Sequence, residues 1–155
     1  LFLEKLKEKL PCIMRVNVSH KFWEKFRTIL TNPDLIKNFL GQDYGIKITP
    51  KNLVNLKQFE NLIFTINLPR SEFRKNDNFS KFHKFIAESV NAGLLSRQEA
   101  VSMIPPLLMQ IKPTDGILDT CAAPGSKTAQ FFEVIYKDYD FLNPESYKND
   151  TGIIY

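Results

Sequence analysis

Residues 116–130 run Gly-Ile-Leu-Asp-Thr-Cys-Ala-Ala-Pro-Gly-Ser-Lys-Thr-Ala-Gln, and no other stretch restricts the fold as strongly. Ile117 and Leu118, bounded by Gly116 and Asp119, read as a short buried strand. Ser126 is a candidate helix cap, with Ala129, Phe132, Val134 and Tyr136 as the apolar positions that follow. Between strand and helix lie only small or turn-forming side chains. A turn of this kind presents unpaired backbone N–H groups and the positive end of a helix dipole, so it suits an anionic group that comes close to the backbone. Gly125 would supply the backbone freedom, and Ala122 and Ala123 the clearance.

Spacing rules out two nucleotide-binding readings. A P-loop needs Gly directly before Lys and another Gly five residues earlier. Here Ser126 separates Gly125 from Lys127, and position 120 is Thr120. The dinucleotide fingerprint, with its three glycines, fails because only Gly125 stands in the turn. A Pro-Gly turn with no ligand remains the alternative that the residues by themselves leave open.

The run Asp119-Thr120-Cys121-Ala122-Ala123-Pro124-Gly125-Ser126-Lys127-Thr128 resembles the S-adenosylmethionine-binding motif of the RNA (cytosine-5)-methyltransferases of the Nol1/Nop2/Sun family, usually seen as Asp-x-Cys-Ala-Ala-Pro-Gly-x-Lys-Thr. Upstream, residues 96–108 are similar to the segment that precedes that motif in the eukaryotic tRNA-modifying branch, the Trm4/Nsun2 type. With residues 74–83 the resemblance covers roughly residues 70–135; before residue 60 it is carried by Leu10-Pro11 and Arg15-Val16-Asn17.

The resemblance implies an S-adenosylmethionine-dependent RNA cytosine-5 methyltransferase whose substrate is tRNA. It implies that Cys121, Ala122, Ala123, Pro124, Gly125, Ser126 and Lys127 surround the methionine end of the cofactor, with its carboxylate near the helix N-terminus. Asp119 would orient the cofactor's amino group or fix the loop. In the family a cysteine thiolate adds to carbon 6 of an everted cytosine, carbon 5 takes the methyl group, and a base removes the proton. The Pro-Cys and Thr-Cys motifs that carry those roles are expected to follow Tyr155, and neither Pro11-Cys12 nor Thr120-Cys121 is assigned to them. Cys121 reads as a small buried turn residue, so no catalytic residue is assigned and the 155 residues alone are expected to be inactive. A non-catalytic RNA-binding or assembly protein on the same scaffold is the rival reading, and a DNA cytosine methyltransferase a weaker one. The resemblance also implies residence in the nucleus, nucleolus included, with the cytoplasm as the alternative.

The first residue is Leu1, and the last ones, Gly152-Ile153-Ile154-Tyr155, read as a strand just starting, so a fragment is expected. The expected fold class is α/β. A small RNA-recognition-like module over residues 1–70 and a helical connector over 71–110 would precede 111–155, the first β-α-β unit of a truncated, Rossmann-like class I methyltransferase domain. No apolar run reaches the roughly eighteen residues of a membrane span. Cys12 and Cys121 stand in unlike contexts and suggest no disulfide framework. Residues 1–110 carry 17 Lys and Arg against 10 Asp and Glu, and residues 111–155 carry 4 against 7. A positive front half suits a phosphate backbone, although small surpluses are also common on solvated surfaces.

Along the front half, Leu3, Leu6 and Leu10 form a helical stripe ended by Pro11. Residues 12–18 alternate, with Cys12, Met14, Val16 and Val18 on one face and Ile13, Arg15 and Asn17 on the other, as in a half-buried strand. Ser19 could cap a helix bearing Phe22, Trp23, Phe26, Ile29 and Leu30, which Asn32-Pro33 breaks. Its aromatic cluster suits base stacking, but one apolar helical face is more often core. A helical turn at 35–40, a short strand at 44–48 and a longer one at 62–68 follow. Arg70, Arg74, Lys75, Lys81, His83 and Lys84 surround a helix over 79–92 that stops at Gly93, and they read either as phosphate grips or as a solvated face. His83 has no neighbouring ligand set for a metal. Ser96 and Glu99 have the spacing of a capping box, ahead of an apolar run that Pro105 and Pro106 should kink or interrupt.

Overall fold

The computed structural model describes residues 2–7, 11–40, 48–50, 62–69, 79–136 and 152–155. In chain order these form α1 (Phe2–Lys7), β1 (Pro11–Val16), α2 (Trp23–Thr31), α3 (Pro33–Leu40), β2 (Ile48–Pro50), β3 (Ile63–Pro69), α4 (Ser80–Asn91), β4 (Leu95–Arg97), α5 (Ala100–Leu108), β5 (Gly116–Ile117), α6 (Ser126–Ile135) and β6 (Ile153–Ile154). The architecture is mixed α/β.

Four strands make one antiparallel sheet in the order β2-β3-β1-β4. Met14 and Val16 of β1, Phe64 and Ile66 of β3 and Leu95 of β4 bury one face against Phe26 and Leu30 of α2, Ile36 of α3, and Phe82 and Ile86 of α4. The alternation read in residues 12–18 therefore holds, but β1 is not half-buried. Its other face is closed as well, because Ile13 and Ile63 pack on Met103 and Leu107 of α5. Arg15 shares that second face and is 3% exposed. The helix α4 and strand β4, expected in a connector, build the core of this sheet.

Several local expectations are corrected. Ser19 does not cap α2; its N–H and hydroxyl both go to Asn17 Oδ1, at 3.0 and 2.7 Å, and Phe22 occupies the cap position. Asn32-Pro33 ends α2 and also starts α3, where Asn32 Oδ1 accepts the N–H groups of Asp34 and Leu35. This is a side-chain cap with Pro at the first helical position, where its missing N–H costs nothing. The strand expected at 44–48 appears as Ile48–Pro50, and residues 44–47 lie outside the described residues. Phe26 and Leu30 of the aromatic cluster are core, while Phe22 is 51% exposed under Lys21. Leu3 and Leu6 of α1 are exposed, and Leu10 is outside the described residues.

The capping box at 96–99 does not form, because Ser96 and Arg97 pair with β1 as strand and α5 starts only at Ala100. Backbone pairing of Arg15 with Ser96 takes those residues into the sheet. The helix then continues from Ala100 to Leu108 through Pro105 and Pro106. Each proline leaves a carbonyl four residues back without its helical donor. Val101, opposite Pro105, is exposed. Ser102, opposite Pro106, instead accepts Gln98 Nε2 at 3.0 Å. A buried side chain thus replaces the N–H that proline lacks.

The last elements form a second, parallel pair, β5 with β6, joined through α6. Tyr155 N–H donates to Ile117 O, and Asp119 N–H to Tyr155 O, both at 2.9 Å, so the pairing continues past the strand ends. Ile117, Phe131 and Ile135 make a separate small core with Ile111, Tyr136 and Ile154 around it. Leu118 is 72% exposed, so of the expected buried strand only Ile117 is inside. No helix among the described residues is long and apolar enough to cross a membrane.

Candidate functional site

The loop between β5 and α6 has its shape set by Asp119. Its Oδ1 accepts the N–H of Cys121 at 3.1 Å, and its Oδ2 accepts the hydroxyl of Thr128 at 2.6 Å. The first contact is an Asx-type turn, which folds the chain back at once; the second ties the first turn of α6 to the end of β5. Of the two roles implied for Asp119, the fixing of the loop is the one its contacts perform.

Ala122 O accepts the N–H of Gly125, closing a tight turn around Ala123 and Pro124, whose peptide bond is cis. Gly125 has φ +97° and ψ 4°, a left-handed conformation that costs an L side chain roughly 1–2 kcal/mol. A Cβ added there would meet no atom within 4 Å. Gly125 rather than Ser126 is the cap residue, and Ser126 is the first residue of α6. The cap residue makes no side-chain cap hydrogen bond. The leading N–H groups of an α-helix have no intrahelical partner, so the N-terminus of α6 presents its positive end beside the loop.

Cys121, Ala122, Ala123 and Pro124 are exposed, and Gly125, Ser126 and Lys127 half-buried. All seven candidate residues are therefore brought together on one short arc. Cys121 was expected to be buried and is not; its backbone is held by Asp119 while its thiol lies outside the small core. Among the basic residues of α4, Lys81 and Lys84 are exposed, with Lys84 Nζ 3.7 Å from Glu88. Arg70, Arg74 and Lys75 lie outside the described residues.

A polar cluster beneath α6 had no counterpart in the sequence reading. Arg15 is ion-paired with Glu133, and both side chains are buried. Arg15 Nε donates to Gln98 Oε1 at 3.3 Å, and Ser96 Oγ donates to Glu133 Oε1 at 3.3 Å. Gln98 Nε2 also donates to Gln130 Oε1 at 2.9 Å, and Gln130 Nε2 to Met103 O at 3.1 Å. Burial pushes the Arg15 guanidinium down from its ordinary value to about 10, which leaves it charged at neutral pH. Its Nη2 is buried with no hydrogen-bond partner among the described residues. The sequence carries no direct signal for this cluster, because Arg15 stands on the strand face opposite Cys12, Met14, Val16 and Val18, and nothing near Gln130 and Glu133 in sequence marks them as its partners.

No protein-family model matches the chain. Among curated proteins, it is 47% identical over 81 residues to the "Multisite-specific tRNA:(cytosine-C(5))-methyltransferase" of Saccharomyces cerevisiae, covering 52% of this chain and 12% of that protein. A Schizosaccharomyces pombe enzyme of the same description is 42% identical over 138 residues, 88% of this chain and 20% of that protein. The "tRNA (cytosine(49)-C(5))-methyltransferase" of Pyrococcus abyssi is 60% identical over 62 residues, 40% of this chain and 20% of that protein. Over these segments the chain is homologous to tRNA cytosine-C5-methyltransferases. It spans 12% to 20% of the length of these relatives. The homology agrees with the resemblance carried by residues 119–128 and extends, in the fission-yeast relative, over most of the chain.

Proposed function

We propose that this chain is part of an S-adenosylmethionine-dependent methyltransferase that modifies carbon 5 of cytosine in tRNA. The observation that carries the proposal is the N-terminus of α6 beside a loop of exposed small residues. Relatives named for that reaction support it. The residues fit the cofactor's methionine end: Gly125 leaves open space, the helix terminus favours a carboxylate, and Lys127 adds positive charge. Cys121, Ala122, Ala123, Pro124, Gly125, Ser126 and Lys127 would hold it. When bound, the cofactor supplies an electrophilic methyl group.

What these residues contribute is binding and orientation. Asp119 holds the loop in shape and Thr128 locks it to the helix. The parallel β5-α6-β6 unit supports the reading of a Rossmann-like domain. The order β-α-α-β-β-α-β among the described residues, with strands arranged β2-β3-β1-β4, supports that of an RNA-recognition-like module, whose pattern has a single helix where α2 and α3 stand here. In this reading α4 and β4 belong to that module, and nuclear residence is part of the same proposal.

The test is to incubate the full-length protein with labelled S-adenosylmethionine and unmodified tRNA, and to look for 5-methylcytosine. Label at another atom, or none on any RNA, defeats the proposal. Cofactor binding without transfer would favour a scaffold that recognises RNA and does no chemistry.

A further inference from the structure

We propose that Arg15 and Glu133 are positioning residues. They hold α6 at one place on the first sheet, so that RNA engaged by that module and a methyl donor at residues 121–127 meet at a fixed separation. The inference rests on the reading under Proposed function and deepens it.

Three observations carry it. The helix α6 is attached to the first sheet by polar contacts: its buried apolar residues, Phe131 and Ile135, belong to the cluster of Ile117, while the sheet's two apolar clusters draw on β1, β3, β4, α2, α3, α4 and α5. Arg15–Glu133, Ser96–Glu133, Gln98–Gln130 and Gln130–Met103 join α6 to β1, β4, the residue between β4 and α5, and α5 itself. Hydrogen bonds are directional where apolar contact is not, so these bonds determine the helix's rotation and tilt.

Stability alone does not account for the pair. A buried ion pair loses so much hydration that apolar residues of equal volume commonly serve as well or better. Arg15 also leaves Nη2 without a partner among the described residues, a cost that apolar packing would avoid.

The lever is short and stiff. At 1.5 Å per residue, Glu133 lies about 10 Å along α6 from Ser126. A tilt of about 6° at the anchor therefore moves the donor loop by about 1 Å, and displacements of that size can cost on the order of 100-fold in rate.

Two conservative variants of the full-length protein separate geometry from charge. Glu133→Gln keeps the length of the side chain, and its amide can accept from Arg15 and donate to Ser96 Oγ, so both contacts persist; because the buried Arg15 loses its counter-charge and global stability falls, both variants are compared under conditions where they are fully folded. Glu133→Asp keeps the charge and draws the carboxylate back by one methylene. Positioning predicts that single-turnover methylation of tRNA falls by about tenfold or more in Glu133→Asp and stays within about threefold of wild type in Glu133→Gln. S-adenosylmethionine and tRNA affinities, measured separately, should stay within about twofold in both. Amide hydrogen exchange over residues 126–135, taken relative to exchange in β3, should quicken in Glu133→Asp and not in Glu133→Gln. The reverse order of the two variants, equal losses in both, or wild-type behaviour in both overturns the inference. If the wild-type protein forms no 5-methylcytosine, the functional reading fails, and the exchange order of the variants still decides whether Glu133 positions α6.

Discussion

Thr128 Oγ1 donates to Asp119 Oδ2 at 2.6 Å, so the first turn of α6 is latched to the end of the strand before it. The other oxygen of the same carboxylate holds Cys121 N–H. One aspartate therefore sets both ends of the loop. Hydrogen bonds to a charged group contribute about 1.5–3 kcal/mol. Thr128→Val should weaken S-adenosylmethionine binding by about tenfold, and Thr128→Ser, which restores the hydroxyl, should bind like wild type. Isothermal titration of the full-length protein checks this; a valine variant with undiminished affinity would show the latch to be irrelevant to the site.

Gly125 and Gly152 make opposite predictions about alanine. At Gly125 the new methyl meets nothing within 4 Å, and the cost is backbone strain of about 1–2 kcal/mol at φ +97°. At Gly152 the methyl would collide with the carbonyl oxygen of Pro113 and stand 2.9 Å from Ile135 Cγ2. Overpacking of this kind costs about 1–3 kcal/mol, and here the obstacle is backbone that cannot rotate aside. Gly125→Ala should therefore cost no more stability than Gly152→Ala, while impairing cofactor binding more. Urea midpoints paired with cofactor affinities test both orders.

Gln98 should matter less once Pro106 is removed. In Pro106→Ala the restored N–H can donate to Ser102 O, the acceptor that Gln98 Nε2 now serves. A double-mutant cycle of Gln98→Ala and Pro106→Ala should give a coupling of about 1 kcal/mol, with the glutamine loss milder in the alanine background. Strict additivity would mean that the proline is not what the glutamine compensates.

The Arg15 shift has a defined sign with pH. Its native value, about 10, lies below that of an unburied guanidinium. Between those values the unfolded state binds more protons, so this group's contribution to stability rises with pH there and is flat below about pH 10. The stability difference between wild type and the double variant Arg15→Met/Glu133→Met, which leaves no orphaned carboxylate to titrate, should therefore not vary between neutral pH and about pH 9 when measured by denaturant titration. Removing one member of the pair alone, as in Arg15→Met, should cost about 3–5 kcal/mol. A slope across that interval would mean that the arginine already loses its proton near neutrality.

Much of this architecture was legible because it follows local rules. The alternation from Cys12 to Val16, the strand over residues 62–68 and the stop of α4 at Gly93 are each governed by neighbours in sequence. The strand-to-helix turn from Asp119 to Thr128 was legible for a similar reason: small residues, one glycine and one aspartate are all that its geometry requires. What escaped depends on partners remote in the chain. Ser96 has the spacing of a helix cap but pairs with Arg15 in the sheet. Leu118 is apolar and exposed, whereas Glu133 is charged and buried because Arg15 meets it. Pattern reading assigns polarity to surface unless a counter-charge can be placed, and the counter-charge lay in another element.

At β1 the first sheet is covered on both faces. Folds of this topology that take up single-stranded RNA stack unpaired bases on aromatic residues across the broad surface opposite their helices. Here Ile13 and Ile63 on that surface lie under Met103 and Leu107, while Thr65 and Thr49 beside them share an exposed hydrogen bond. A nucleic acid strand could reach Ile13 and Ile63 only by prying α5 away. A grip on a polynucleotide that leaves α5 in place is therefore confined to the threonine side of that surface, to the module's rim, or to the outward sides of its helices, where Lys81 and Lys84 already stand in solvent.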